Sequence, residues 1–171
     1  MENIKKNLLI AWLKDAYAME KSIIQTLTAH SKEAEEYPEI QDKINEHIEA
    51  TESQSERIKN RLEAMGENVS GIKAFTMEIM GKAKGYAEKF SEDKIIKNTL
   101  AEIATESYEI SAYQTILLTA EKLGDEETVE MAEEILQEEK EMENWAKDNL
   151  PVLIGLFFEK ETAETHADEE I

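Results

Sequence analysis

The sequence contains no cysteine, and only two prolines and six glycines, in 171 residues. The lack of cysteine excludes disulfides, thiolate metal sites and cysteine nucleophiles, so any metal site would depend on oxygen and imidazole ligands. Basic residues are also scarce, with 19 lysines and arginines against 39 aspartates and glutamates. The net charge of −20 repels phosphate backbones and anionic lipid, which argues against nucleic acid and membrane partners.

Long apolar runs are missing as well. The N-terminal segment MENIKKNLLIAWLKDAY has an apolar run of only a few residues before charge resumes, which is typical of neither a secretory signal nor a membrane span. We therefore expect a cytoplasmic protein. The length suits one domain with a sizeable core, and no alternating pattern of polar and apolar residues predicts strands.

Apolar residues recur at intervals of three and four in four long segments, which predicts an all-α protein built from four amphipathic helices. Pro38 suits the first turn of the second helix, Gly66 and Gly124 suit the ends of the second and third, and Asp125 suits the N-cap of the fourth. The predicted helices cover residues 9–34, 38–65, 95–124 and 126–150.

The connections between these helices predict the topology of a four-helix bundle. Links of two or three residues make helices one and two antiparallel, and likewise helices three and four. The link between helices two and three is long and carries its own apolar face, which predicts a short fifth helix in residues 72–89. Such a crossover can travel the length of the bundle, so we expect helices two and three to be parallel.

The chain divides into a predicted bundle, residues 1–150, and a predicted tail, residues 151–171. Pro151 disfavours a smooth continuation of the fourth helix. The tail holds one apolar run, residues 153–158, followed by an acidic end that we expect to be disordered. Because this run is too apolar to sit in water beside so acidic a surface, we expect it to contact a second copy of the chain in a homodimer.

Carboxylates interrupt the predicted apolar stripes. Glu106 falls on the stripe of the third helix between Ile103 and Ile110, Glu20 lies on that of the first, and Glu139 and Glu143 lie on that of the fourth. Several facing carboxylates raise one another's pKa, whereas divalent ions neutralise them. We therefore predict a metal site inside the bundle.

Other residues near these stripes are weaker candidates. Glu109 lies one turn after Glu106 and is placed to bridge two ions. On the second helix Thr51 takes the inward position, and Glu52 borders it on one side. His47 and Gln54 border it on the other. We interpret His47 and His30 as boundary histidines rather than as ligands.

Four segments in this order resemble the YciE/YciF-type stress proteins of the ferritin-like superfamily. In that superfamily, one Glu from each of two helices and Glu-x-x-His pairs from the other two hold a di-metal centre. The resemblance implies a ferritin-like bundle in which Glu20, Glu106 and Glu139 are ligands, with Glu109 as a second ligand on the third helix. The four segments are LKDAYAME (13–20), HIEATESQSERI (47–58), ESYEISAYQTILLTAEKLG (106–124) and QEEK (137–140).

The chain departs from that pattern at both Glu-x-x-His pairs. The pairs would fall on Thr51 and Gln54 in the second helix and on Glu139 and Met142 in the fourth, so neither imidazole is present. A shifted frame offers Glu49 and Glu52 on the second helix and Glu143 on the fourth, although helical phase makes Glu49 a poor choice.

Two functions remain open. The first is a di-iron or di-manganese protein that reacts with oxygen or peroxide, with metal candidates Glu20, Glu52, Glu106, Glu109, Glu139 and Glu143. The second is a metal-poor structural bundle that acts in stress response through dimerisation.

Overall fold

The computed structural model describes residues 2–72 and 93–168. These residues form four helices and no strand: α1 (Glu2–Glu33), α2 (Pro38–Ala64), α3 (Lys94–Leu123) and α4 (Glu126–Asp168). The predicted all-α class is therefore confirmed. The short helix predicted in residues 72–89 lies outside the described residues, apart from Ile72 at its edge.

Local chemistry sets the helix ends close to the predicted positions. Pro38 opens α2, where its missing N–H costs no hydrogen bond. Gly66 and Gly124 follow α2 and α3 with φ of 83° and 68°, a left-handed conformation that glycine adopts without a Cβ clash. The Asp125 carboxylate accepts a hydrogen bond from the backbone N–H of Thr128 at 3.2 Å, which caps the first turn of α4.

Contacts between helices establish the predicted topology. His30 on α1 bonds Glu102 on α3, and Glu20 bonds Tyr113 further along α3, so α1 and α3 run antiparallel. A four-residue turn, residues 34–37, likewise makes α1 and α2 antiparallel. Since α1 is antiparallel to both, α2 and α3 are parallel, as the single-crossover bundle requires.

The polarity of the bundle interior changes along its length. The half that leads to the α3–α4 turn is filled by apolar side chains, whereas the middle of the bundle buries several glutamates. The apolar residues of the first half with at most 2% exposure include Leu9, Leu13, Ile58, Leu62, Ile116, Ala120, Ala132 and Ile135.

The end of the chain differs from our expectation, because α4 continues through Pro151 to Asp168. A proline inside a helix destabilises the folded state by about 3 kcal/mol. Burial of a leucine side chain stabilises it by roughly 1.5–3 kcal/mol, which offsets much of that loss. Leu153, in the turn that follows the proline, is fully buried in the core and supplies that burial. Most of the acidic end expected to be disordered is thus helical, while residues 169–171 lie outside the described residues.

In the part of the chain that the structure describes, no helix combines the length and the apolar character that crossing a membrane needs. The cytoplasmic location stays a prediction.

Candidate metal centre

Four glutamates meet inside the bundle with at most 1% of their surface exposed: Glu20 on α1, Glu106 and Glu109 on α3, and Glu139 on α4. All four were predicted from the sequence. The carboxyl groups are close enough to interact, because the charge of Glu139 raises the pKa of each of the other three. We call these four residues the glutamate cluster.

His47 on α2 completes this arrangement, and our interpretation of it as a boundary histidine is wrong. Its side chain is 4% exposed, and its Nε2 atom lies 3.4 Å from Oε1 of Glu106. Potential ligand atoms of His47, Glu106 and Glu139 all lie within 4.8 Å of one another. The sequence did hold a signal, since His47 follows Ile44 by three residues and precedes Thr51 by four, which is the spacing of one helix face.

The inward face of α3 is rotated from the predicted stripe. Ile103 and Ile110, which we placed on that stripe, are only half-buried, whereas Glu102 and Glu109 are buried. The predicted stripe and the observed face both contain Glu106. Apolar periodicity alone cannot separate them by that residue, and it favours the face that carries the two isoleucines. Glu102 is the acidic residue that the sequence reasoning missed, and its Oε1 atom lies 2.8 Å from Nδ1 of His30.

Two predicted metal residues are not brought to the cluster. Glu52 is exposed, one residue beyond the buried Thr51. Glu143 is half-buried at the bundle edge, where hydrogen bonds from Lys147 and Ser107 lower the pKa of its carboxyl group. Helical phase explains why Glu143 lies outside the cluster. Met142, three residues after Glu139, takes the inward position instead.

Two side chains orient the carboxyl groups. The Tyr113 hydroxyl donates to Oε1 of Glu20. The Gln54 amide donates to Oε1 of Glu139 and also, at 2.9 Å, to Oε2 of Glu138. Several buried polar atoms near these contacts have no hydrogen-bond partner. Burying a polar atom without a partner costs free energy of folding. Within the cluster and its α2 neighbours these unpartnered atoms are Oε2 of Glu20, Glu106 and Glu139, both oxygens of Glu109, Oε1 of Gln54 and both ring nitrogens of His47.

Burial dominates the electrostatics of the cluster. Loss of hydration, with a further contribution from the charge of Glu139, raises the pKa of Glu20 to about 8. The same two causes raise the pKa of Glu106 and of Glu109 well above the usual range. Burial also raises the pKa of Glu139, against the opposing hydrogen bonds from Glu106 and Gln54. Without a bound cation, the cluster is therefore largely protonated at neutral pH.

The imidazole and the phenol next to the cluster are also neutral. Burial, followed by the charge of Lys43, lowers the pKa of His47 to about 4. Burial and the charge of Glu20 raise the pKa of Tyr113 well above its usual value, so its hydroxyl stays a donor. A neutral imidazole has a free lone pair, which is the form that binds a metal ion.

These donors fit a divalent cation. A cation would give the unpartnered oxygens and the His47 ring a partner and would offset the cost of ionising the buried carboxyl groups. In the described ranges, residues 2–72 and 93–168, no lysine or arginine forms a salt bridge with any of the four glutamates, and the charge of Arg57 is a lesser contribution that lowers the pKa of Glu20 and Glu139. Potential ligand atoms that could hold one metal ion come from His47, Glu106 and Glu139, and Glu20 and Glu109 are buried beside them.

Comparison with known proteins agrees with this fold. A family described as "Domain of unknown function (DUF892)" matches residues 5–159. A protein of known structure from Xanthomonas campestris pv. campestris is 30% identical with a TM-score of 0.78, and the match covers 92% of this chain and 98% of that protein. The likeness therefore extends over the whole bundle.

Two further solved structures share the architecture. The Escherichia coli stress protein YciF is 23% identical with a TM-score of 0.78, over 88% of this chain and 97% of that one, which shows the shared fold. YcfI from Rhodopseudomonas palustris, described as a candidate structural protein, is 25% identical with a TM-score of 0.76, over 84% and 92%. The resemblance to the YciE/YciF-type family is thereby confirmed.

Proposed function

The chain belongs to the DUF892 family, and we propose that it binds divalent iron or manganese inside its helical bundle. The observation that carries this proposal is the buried group of His47, Glu106 and Glu139, whose potential ligand atoms lie within 4.8 Å of one another. These residues come from three helices, so the fold holds them in place before an ion arrives. One imidazole with carboxylate oxygens suits iron and manganese.

A second ion would make the centre dinuclear. Glu109 supports this extension, because both of its oxygens are buried without a hydrogen-bond partner. Glu20 lies next to it and has one free oxygen, the other being bonded by Tyr113. In this proposal Glu109 and Glu20 would hold the second ion.

Bound iron or manganese would supply one-electron chemistry toward a small oxidant such as oxygen or peroxide. The chain's own residues hold and isolate the centre. Tyr113 keeps its proton and fixes one oxygen of Glu20. Gln54 fixes one oxygen of Glu139. The apolar side chains of the adjoining half of the bundle exclude water.

A metal-dependent thermal shift tests this function. Adding Mn²⁺, or Fe²⁺ without oxygen, should raise the melting temperature, because an ion that binds only the folded chain stabilises it. Glu106→Gln should remove that shift and leave the apoprotein folded, since the amide keeps the shape of the side chain. Glu143→Gln is the matched control, because Glu143 lies outside the cluster, and it should keep the shift. An equal shift in wild type and Glu106→Gln would show that the ion binds elsewhere.

A structural role through dimerisation is the second candidate. It is supported by the exposed apolar residues at the end of α4, which include Val152, Ile154 and Leu156 at 52%, 39% and 41% exposure. The description of the Rhodopseudomonas palustris protein as a candidate structural protein points the same way. Absence of any metal-dependent shift would make this function the better account.

A further inference from the structure

The glutamate cluster has no direct opening to solvent through its own residues. Its four carboxyl groups are at most 1% exposed, and His47 is 4% exposed. A cation that binds here must therefore pass through the interior of the bundle. Its route needs polar atoms, because an ion without ligands in an apolar interior is strongly disfavoured.

One direction along the bundle offers few such atoms among the described residues, Thr128 beside the α3–α4 turn being buried there and bonded to Arg61. Beyond Tyr113, the interior toward the α3–α4 turn is occupied by Leu13, Ile58, Ile116 and Ile135, all at most 2% exposed. None of these side chains can replace water around a cation. An ion is therefore disfavoured in the apolar half of the bundle.

The opposite direction also buries apolar side chains, Ile23, Leu27 and Ile44, but it adds polar side chains at one-turn intervals on α3. Asn98, Glu102 and Glu106 are four residues apart and are 2%, 5% and 1% exposed. Four residues of helix advance about 6 Å, so each polar group is one short step from the next. Glu102 is close enough to Glu106 that its charge contributes to raising the pKa of that carboxyl group.

Glu102 and His30 form a pair between the surface and the cluster. Nδ1 of His30 and Oε1 of Glu102 are 2.8 Å apart, and the two side chains are 12% and 6% exposed. The pair is therefore more accessible than the cluster and less accessible than the surface. A carboxylate and an imidazole are also the two ligand types that the cluster itself offers.

The outer end of this line of residues lies at Glu33. Its carboxylate accepts a hydrogen bond from Asn98 at 2.7 Å and pairs with Lys94. The side chains of Lys94 and Glu33 are 42% and 28% exposed, and an ion pair this exposed contributes little to stability, so a divalent cation can displace it. The net charge of −20 raises the cation concentration near the surface.

We propose that a divalent cation enters between α1 and α3 along Glu33, Asn98 and Glu102, and that Glu102 and His30 bind it transiently before it reaches Glu106. This entry route rests on the proposed metal function. It assigns to His30 and Glu102 the control of how fast the centre loads and releases its ion, rather than how tightly the ion is held.

Loading kinetics with Co²⁺ alone test the route. Visible absorption follows Co²⁺ binding after rapid mixing, and transfer to excess chelator follows its release. Glu102→Gln should slow both binding and release by about tenfold or more. A transit site lowers the free-energy barrier between free and bound Co²⁺ without changing the free energy of either state. The number of ions bound at equilibrium should stay that of the wild type.

Glu143→Gln is the matched control. Glu143 follows Glu139 by one turn, as Glu102 precedes Glu106 by one turn, so both substitutions remove one negative charge at the same sequence distance from a proposed ligand. The control should load at the wild-type rate. His30→Gln should slow loading as well, and because it keeps the Glu102 carboxylate it tests the route independently of the loss of that group.

The outcomes separate the route from the function. Wild-type protein that binds Co²⁺ while Glu102→Gln and His30→Gln load at the wild-type rate would overturn the route and leave the proposed function intact. Equal slowing by Glu143→Gln would also overturn it, because the effect would then be general electrostatics. Wild-type protein that binds no Co²⁺ at equilibrium would overturn both.

Discussion

Gln54 on α2 donates its side-chain amide to Oε1 of Glu139 on α4, inside the bundle. The same amide nitrogen donates to Glu138 at 2.9 Å, and Glu138 in turn pairs with Arg57. This chain of contacts fixes one oxygen of Glu139 and leaves the other, Oε2, without a hydrogen bond. The free oxygen is the one that a metal ion can use.

The first prediction concerns this orienting contact. Gln54→Ala should weaken Mn²⁺ affinity by about tenfold, because a hydrogen-bond partner that orients a ligand is worth roughly 10–100-fold in affinity. Isothermal titration calorimetry measures the change. Gln137→Ala is the control, since Gln137 is exposed and donates to Glu141 four residues away. Unchanged affinity in Gln54→Ala would show that Gln54 does not position a metal ligand.

The second prediction concerns the pH dependence of the metal-free protein. The pKa of Glu20 is raised from 4.5 to about 8. A group whose pKa is raised on folding contributes stability that is complete below its unfolded pKa and is lost as pH rises through its folded pKa. The contribution of Glu20 is therefore lost progressively as the pH rises from 4.5 to about 8, and urea unfolding of the apoprotein in the presence of chelator should show the part of that loss above pH 6.5.

Two comparisons isolate Glu20 in that experiment. Glu20→Gln should be less sensitive to pH over the same range, because the amide does not titrate. His47 acts in the opposite sense, since its lowered pKa of about 4 means that its contribution is lost only as the pH falls toward 4. Apoprotein that grows more stable from pH 6.5 to 8.5 would contradict the protonated cluster.

The bundle was predictable because its signals are local. Periodic apolar residues, Pro38, Gly66, Gly124 and Asp125 each set a helix or a helix end through short-range chemistry, and loop length then decided the topology. Pro151 was misread for the opposite reason. Its effect depends on the packing of Leu153 against other helices, which the local sequence does not contain.

The centre was only partly predictable because helical phase is uncertain by about one residue. The stripe through Ile103 and Ile110 and the observed face through Glu102 and Glu109 share Glu106, so Glu106 was identified whichever face was chosen. Hydrophobicity then favoured the isoleucines, and Glu102 was missed. The partner that accounts for its burial, His30, is distant in sequence and meets it only in the fold.

The third prediction concerns the end of α4. Leu153→Ala should destabilise the protein by roughly 2–5 kcal/mol, because it leaves a cavity in the core. Ile154→Ala changes a neighbouring side chain that is 39% exposed and should cost much less. Urea unfolding of the two variants provides the comparison. Equal, small effects would mean that Leu153 does not belong to the bundle core.

The fourth prediction concerns the homodimer. Val152 and Leu156 lie one turn apart on α4 and are 52% and 41% exposed, so they form an apolar strip that leaves the buried Leu153 untouched. Replacing both with serine should shift the protein toward monomer in sedimentation velocity without a large loss of melting temperature. Wild-type protein that sediments as a monomer at micromolar concentration would remove the argument for this interface.

The central claim is that the buried group of His47, Glu106 and Glu139 binds a divalent metal ion, and its most direct test is equilibrium dialysis of the chelator-treated protein against Mn²⁺. The account predicts at least one tightly bound ion per chain in the wild type and its loss in Glu106→Gln. Less than one ion per chain in the wild type, or equal binding by Glu106→Gln, would contradict the account.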